Sequence, residues 1–577
     1  MLLQRLKEYA DTRMDLPPQL YSETPVRYII ELNALGQPLG LTDTADPANP
    51  KTKRGQRYAM PQITRTSGIK PLLITDKPDY VLGLGKENAK PERVQNAHAA
   101  YRELLARCAV ATKAPEVQAI QSFFNDYREN IQLPNDFDTS GVSGLITFRV
   151  DGIFPTNLPA VQAFWAREHT ADSDEATTMQ CIVCGQQRPV LHSLQGTIKG
   201  IPGGQSSGTA LISANAKAFE SYGLENSLIA PTCADCGERF TKAVNELLSN
   251  EQHRIIIGGA AFLFWTREDV PFDFGTALNK PEAAQVKALI DSMRTGKHMP
   301  IDDTAFYATS LSGSGARVVV RDWIDTTVGD AKNSLGRWFQ LQAITDDRGQ
   351  LANPLGIYAL AGATVREMKD LPTTTPRALL HAALTGTPLP MSLLYQAVRR
   401  SRAEQGVTRQ RAALIKLVLL SHEPSSKEAT MIDLDQNHPD PAYHCGRLLA
   451  VLADIQEAAI GKAAIVDRFY GTASSAPASV FGRLLRGAQP HIAKLERDRR
   501  NVAVALQRRL EGVMSSLESF PKILTLEQQG LFALGFYHQR AYDRAQMYAN
   551  AARKQAAATA STDTTNTGEL FPNDEAE

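Results

Sequence analysis

The chain has 577 residues, enough for two to four domains, and its 43% hydrophobic and 21% charged composition is that of a globular protein, not of a disordered or fibrous one. Lysine plus arginine equals aspartate plus glutamate at 62 each, so bulk charge singles out no polyanionic partner. The longest apolar run, Ile255 to Trp265, has 11 residues, against the ~20 needed to span a bilayer; Met1-Leu-Leu-Gln-Arg-Leu-Lys7 has too little apolar length for a secretory signal. A cytoplasmic protein with no membrane partner is therefore expected.

In chain order, Pro25-Val-Arg-Tyr-Ile-Ile-Glu-Leu32 reads as a strand followed by a Gly36 turn. Residues 42–62 are polar and turn-rich. An apolar segment from Ile69 to Leu84 is interrupted by Pro71 and an Asp76-Lys-Pro-Asp turn. Residues 90–127 have helical period, with Leu104, Leu105, Cys108 and Val110 expected on the buried face. Gly144 to Gly152 is a strand bounded by glycines, a helix starts at Cys236 and runs to about Asn250, and Ala316 to Trp323 is a further strand; Ile255 to Trp265 reads as a buried strand or core helix turn. Beyond Pro372–Pro376, alanine, leucine and arginine dominate, and helices are expected at roughly 391–404, 408–421, 440–467, 478–513 and 524–556. The fold class is therefore α+β: a mixed α/β N-terminal region (1–375) with a zinc-ribbon-like insertion at about 181–240, then an all-α C-terminal bundle (376–556). An acidic tail at 557–577 has a disordered composition.

Four of the six cysteines form two Cys-x-x-Cys pairs, Cys181 with Cys184 and Cys233 with Cys236, each followed by glycine. Four thiolates in two tight pairs suit a tetrahedral, structural zinc, since no coordination position is left open for chemistry; reduced core cysteines without metal are the alternative. Between the pairs lies Lys199-Gly-Ile-Pro-Gly-Gly-Gln-Ser-Ser-Gly208. It lacks the Gly-Lys-Ser/Thr ending of a nucleotide-hydrolysing loop. Its glycines permit close backbone approach, and Gln205, Ser206 and Ser207 offer uncharged hydrogen bonds to base edges or phosphate oxygens. An ordinary surface loop is the competing reading.

Charge is segregated along the chain. Residues 376–560 carry 24 basic and 15 acidic side chains, a net +9; residues 561–577 carry five acids and no base, leaving 1–375 at −4. Residues 51–77 cluster Lys51, Lys53, Arg54, Arg57, Arg65, Lys70 and Lys77 against the single acid Asp76, a density that suits phosphate neutralisation as well as a solvated loop. In Arg317-Val-Val-Val-Arg321 the strand period places both arginines on one face, open to a nucleic-acid backbone or to ion pairs with Asp322 or Asp325. Residues 462–509 hold ten bases and three acids; Arg483, Arg486, Lys494, Arg497 and Arg508 fall in one stripe, with Arg500 and Arg509 nearby. That imbalance favours a strand-tracking surface over a plain charged helix exterior. Sequence-local catalytic patterns are missing: there is no His-Glu-x-x-His, no His–Asp pair and no Gly-x-Ser-x-Gly, and His438, His444 and Cys445 read as packing and capping.

The segment Gly200 to Gly223 resembles the signature of the large subunit of type I-C CRISPR Cascade, as do Thr66-Ser-Gly-Ile-Lys-Pro71 with Tyr80-Val-Leu-Gly83, Ala316–Trp323, Ala442–Leu452 and Ala533–Arg540. The similarity runs to about residue 555. It implies a non-catalytic effector subunit that inspects duplex DNA for the short PAM, helps open the duplex and form the R-loop, and recruits the helicase-nuclease in antiviral defence, while guide pairing reads sequence. The implied partners are crRNA, target double-stranded DNA, the Cascade backbone and crRNA-handle-binding subunits, and a small subunit made by internal translation of the helical part. The resemblance makes Lys70, Arg65, Lys199, Gln205, Ser206, Ser207 and Asn215 the PAM-proximal candidates. Lys51, Lys53, Arg54, Arg57, Arg317, Arg321, Lys494, Arg497, Arg500, Arg508 and Arg509 are the candidates for backbone contact. A zinc-ribbon nuclease and a purely protein-binding scaffold are the competing function classes.

Overall fold

A computed structural model describes residues 1–18, 20–46, 54–63, 68–133, 137, 144–170, 177–194, 196–214, 216–295, 299–423 and 431–565. The chain forms two compact units, one of Met1–Ile198 with Ala210–Asn245, the other of Lys199–Thr209 with Glu246 onward.

The first unit is organised by β1 (Tyr21–Leu32), whose β-branched and aromatic residues suit a half-buried sheet. It pairs antiparallel with β2 (Pro38–Asp43) and β3 (Gln56–Pro61), and parallel with β4 (Leu145–Val150). Gly36, in the turn between β1 and β2, takes φ +83°, and a Cβ there would lie 2.3 Å from the Ala119 carbonyl oxygen, so only glycine fits. Tyr28, Ile30, Leu32, Ile146 and Phe148 form a core with Tyr101, Leu104, Leu105, Cys108, Val117 and Ile120. Full burial of such a side chain stabilises by about 1.5–3 kcal/mol. The helix expected over 90–127 is two helices, Pro91–Thr112 and Pro115–Ser122, because Lys113 turns left-handed (φ 53°) and proline begins the second. Val110, expected on the buried face, is 77% exposed; the buried stripe runs through Ala97, Tyr101, Leu104, Leu105 and Cys108, and position 110 falls off it. The small antiparallel pair β5 (Thr178–Gln180) and β6 (Gln187–Pro189) and the helix Ala234–Ser249 complete the elements that frame the cysteines.

In the second unit, β7 (Arg254–Ile257), β8 (Ala260–Thr266), β9 (Ala305–Ser314) and β10 (Arg317–Thr327) form an antiparallel meander in the order β10-β9-β8-β7. The apolar run Ile255–Trp265 is thus a hairpin, not one strand or a helix turn. Gly258 and Gly259, at φ 58° and 74°, make the two-residue turn whose central positions both need positive φ. One face of the sheet packs Phe262, Phe264, Phe306 and Ile324 against Leu335, Trp338 and Phe339 of the helix Val328–Gln342 and Leu379 and Leu380 of the helix Thr374–Thr385.

The helical C-terminal region follows, as expected of the fold class. Met391–Ala403 and Arg409–Ser421 match their expected spans closely. The stretch 440–467 splits at Gly461 (φ 76°) into Pro441–Ile460 and a helix starting at Ala464. The stretch 478–513 splits at Arg499 (φ −150°) into Phe481–Asp498 and Arg500–Met514. Helices Pro441–Ile460 and Leu526–Thr565 cross at glycines: a Cβ on Gly446 would stand 2.0 Å from the Phe532 carbonyl, and one on Gly535 2.0 Å from that of Tyr443. The two bundle segments singled out in the sequence, 442–452 and 533–540, therefore pack on each other. The last helix extends through Thr565, and the tail from 566 lies outside the described residues. No helix among the described residues is long and apolar enough to cross a membrane.

Candidate metal centre and nucleic-acid interface

Cys181 and Cys184 sit in the turn that joins β5 to β6. The Gly185 amide donates to the Cys181 carbonyl at 2.8 Å and Gly185 takes φ 72°, the tight knuckle a Cys-x-x-Cys-Gly needs. The second pair is built differently. Cys233 immediately precedes the helix Ala234–Ser249 and Cys236 lies in its first turn, so these sulfurs come from a helix N-terminus and not from a second knuckle. Gly237 is accordingly helical; it is small because a Cβ there would meet Leu194 Cδ2 at 2.3 Å. A bridge between Val190 and Cys233, and amide bonds from Ile182 to Pro231 (2.9 Å) and Leu191 to Thr232 (3.2 Å), clamp the two halves together.

All four sulfur atoms lie within 4.8 Å of one another; tetrahedral zinc–sulfur bonds of about 2.3 Å place sulfurs ~3.8 Å apart. Hydrogen bonding from the Cys236 thiol draws the Cys233 thiol down from its ordinary range, and the same bond together with burial pushes its partner Cys236 up. One thiolate forms readily and opposes the next, which is the electrostatic condition that a dication relieves. The donor set fits a metal ion, and its closed four-sulfur character fits a structural one.

The glycine–serine loop belongs to the second unit, where it docks on the turn between β9 and β10. Gly204 forms a parallel bridge with Gly315, the Gly313 amide donates to the Pro202 carbonyl at 2.8 Å, and the Gln205 amide donates to the Gly315 carbonyl at 3.2 Å. Backbone meets backbone here, since a Cβ on Gly313 would be 2.1 Å from Gly204 N. Gln205, Ser206 and Ser207 are exposed at the apex. Two candidate sets that are over a hundred residues apart in sequence are thereby adjacent, for Arg317 follows Gly315 by two positions. Arg321 occupies a β-bulge, and its Nε donates to Ser312 Oγ at 2.9 Å. Ser312 is the cross-strand partner of Val319, so Arg321 stays on the Arg317 face, as the strand period predicted; Val320, expected with Val318, is exposed while Val318 is buried. Asp322, considered as an arginine partner, instead accepts from His381 Nδ1 at 2.8 Å.

Of the other candidates, Lys70, Arg54, Arg57 and Lys199 are exposed. Lys51, Lys53, Arg65 and Asn215 lie outside the described residues. In the bundle, Phe481, Leu484, Ala488, Ile492 and Leu495 bury one face of their helix, leaving Arg483, Arg486, Lys494 and Arg497 exposed on the rest. Arg500 and Arg508 are exposed on the next helix, whereas Arg509 is engaged with Asp543 at 3.2 Å.

The Asp322–His381 pair is a feature the sequence did not offer, because 59 positions separate its members. Asp322 raises the His381 pKa through their hydrogen bond, but no hydroxyl or thiol is hydrogen-bonded to the His381 ring among the described residues. His438 and His444 do pack and cap: the His438 ring stacks on Tyr443 at 4.5 Å, and His444 Nε2 bonds the His438 carbonyl at 2.7 Å.

These features define an α+β protein with a four-thiol knuckle, a glycine–serine loop pinned to an arginine-bearing hairpin, and basic helical faces. The chain belongs to the CRISPR-associated protein family Cas_Csd1, whose family model matches residues 2–542. It is thus a Cascade-type component, which puts crRNA and other Cas proteins among its partners. No curated protein matches the chain.

Proposed function

We propose that this protein is the non-catalytic large subunit of a type I-C crRNA-guided surveillance complex. In that role it recognises the PAM in duplex DNA, promotes strand separation and R-loop formation, and recruits the helicase-nuclease for antiviral defence. The observation that carries the reading is the docking of Pro202–Gln205 on Gly313–Gly315, which holds Gln205, Ser206 and Ser207 beside Arg317 and Arg321. Uncharged hydrogen-bonding groups flanked by guanidinium groups suit a duplex: the former reach base edges, the latter phosphates. Lys70 and Lys199, with Arg65 and Asn215, are further candidates for contact near the PAM; Arg54 and Arg57, with Lys51 and Lys53, and the exposed bases of the 481–514 helices are candidates for backbone contact. The four cysteines hold a zinc ion that braces the first unit, and the helical region is the counterpart of the separately translated small subunit.

The test is the assembled complex, with its backbone and handle-binding subunits, titrated with duplexes that carry or lack the PAM. Replacing Gln205, Ser206 and Ser207 by alanine is expected to lower affinity for the PAM-bearing duplex while assembly persists. Equal affinity in the variant defeats the assignment of the loop. Metal-dependent cleavage by the purified chain would show an enzyme instead, and assembly indifferent to duplex DNA would show a scaffold.

A further inference from the structure

Within the second unit, a cleft of about 360 Å³ opens where the turn before the helix Arg409–Ser421 faces the helix Leu526–Thr565. Four arginines line it, Arg409, Arg411, Arg540 and Arg544, against two carboxylates, Asp347 and Glu404. Every carboxylate is already engaged. Glu404 accepts from Arg400 and Arg411, and Asp347 from Arg544 at 3.1 Å. Among the described residues Arg409 donates only to the Asn353 carbonyl, at 2.8 Å, and Arg540 stands 3.9 Å from Glu457 and over the Phe536 ring. The cleft keeps an excess of two positive charges.

Two independent features point to an anion there. Thr408 caps the 13-residue helix by accepting from the Arg411 amide, and its first turn holds no acid but has arginines at its first and third positions. Cations at a helix N-terminus oppose the helix dipole, an arrangement that a bound anion reverses. Secondly, the Arg411 side chain lines the cleft although only 7% exposed; Glu404 and the Gly406 carbonyl hold its two Nη atoms, and its buried Nε has no hydrogen-bond partner among the described residues. Guanidinium groups in this number suit the tetrahedral oxygens of phosphate, which accept two parallel N–H bonds from each fork.

We infer that this cleft binds a phosphate-bearing ligand, with Arg409, Arg540 and Arg544 as its donors and Arg411, held by Glu404, adding only its charge. The ligand's phosphate is either free, as in a small phosphorylated molecule, or a phosphodiester of a nucleic-acid strand. This site stands apart from the Gln205–Ser207 loop, and its test uses no PAM-bearing duplex, so either assignment can fail alone. The probes are inorganic pyrophosphate and a short single-stranded oligonucleotide without terminal phosphates, each titrated calorimetrically into the full chain. The comparison is with the double variant Arg409→Gln/Arg544→Gln, which alters the two arginines that leave the buried Arg411–Glu404 pair untouched. Circular dichroism and melting establish that the variant folds, and Arg409→Gln alone serves if it does not. Saturable pyrophosphate binding weakened at least tenfold in the variant identifies a free phosphate ligand. The same loss seen only with the oligonucleotide identifies a strand phosphate. If neither probe binds saturably, or both bind the variant as tightly as the parent, the inference is overturned.

Discussion

Gly313→Ala isolates the docking of the glycine–serine loop from every charge in the site. The new Cβ would stand 2.1 Å from Gly204 N and 2.4 Å from the Gly203 carbonyl carbon. Both are backbone atoms that no rotamer change can move, so the loop must retreat by more than an ångström. Two hydrogen bonds span the contact, Gly313 to Pro202 at 2.8 Å and Gln205 to Gly315 at 3.2 Å. At about 0.5–1.5 kcal/mol each their loss costs ~1–3 kcal/mol, in line with the usual cost of overpacking. That is below the 5–15 kcal/mol typical of whole-protein stability, so the fold should survive. Local opening should become about 5- to 150-fold more favourable, at 1.4 kcal/mol per factor of ten, and hydrogen exchange over 200–208 reports it directly. Affinity for PAM-bearing duplex should fall in the assembled complex. Gly487→Ala is the control, since nothing lies within 4 Å of a Cβ at that position. Unchanged exchange at 200–208 refutes the docking geometry; faster exchange with unchanged duplex affinity refutes the loop's part in recognition.

Cys236→Ser should abolish bound zinc measured by elemental analysis, which in the parent is expected at one ion per chain, and should lower the melting temperature of the first unit. Lys416 is buried and donates to the Ala343 carbonyl, and desolvation pushes its pKa from 10.5 down to about 8. The unfolded chain therefore holds the extra proton between pH 8 and 10.5, so stability rises with pH through that window and carries the full penalty below it. Lys416→Met should remove the rise in denaturant titrations run across the same pH range. Reversing Arg497, Arg500 and Arg508 to glutamate should weaken target binding at every sequence and shallow the salt dependence by about two to three units of slope, one per lost phosphate contact. An unchanged slope would make these residues a solvated helix face.

Periodicity and spacing in one dimension carried most of what was legible in the sequence. The C-terminal helices are legible because each shows a 3.6-residue apolar stripe; their boundaries differ where Gly461 or Arg499 breaks a run without proline and where the helices from Ala464 and Leu526 run on to Ala473 and Thr565. The cysteine quartet was visible because Cys-x-x-Cys is a local code for one tight turn. Its two halves look alike in sequence, each followed by glycine, but Gly237 marks close packing of Leu194 on a helix and not a turn. Hydrophobic runs alone could not separate one strand from two, although Gly258-Gly259 in the middle of Ile255–Trp265 was the signal for a hairpin. What no local pattern could supply was juxtaposition: the loop at 200–208 meeting Gly313–Gly315, Asp322 reaching His381, and Arg409 and Arg411 sharing a cleft with Arg540 and Arg544.

The same limit applies to the net +9 of the C-terminal region, because charge counted along the chain does not say which bases face solvent. Three of its arginines are committed internally. Arg411 is bound to Glu404, and buried Arg447 donates to Gln539 Oε1 at 3.1 Å. Arg509 pairs with Asp543, which also accepts from Gln539 Nε2 at 3.0 Å. Burial raises the pKa of Asp543 and takes that of neighbouring Asp454 up to about 7. Arg509 is thus the cation that makes an otherwise costly buried carboxylate tolerable. Removing it strands a charge whose side chain is 4% exposed, at a cost of about 1–3 kcal/mol. Arg508, one position earlier, is exposed. Arg509→Gln should therefore lower the melting temperature by several degrees with the salt dependence of DNA binding intact, whereas Arg508→Gln should do the reverse. If both variants change the salt dependence alike, Arg509 leaves Asp543 to meet phosphate, and the bundle's internal charges are part of its binding surface after all.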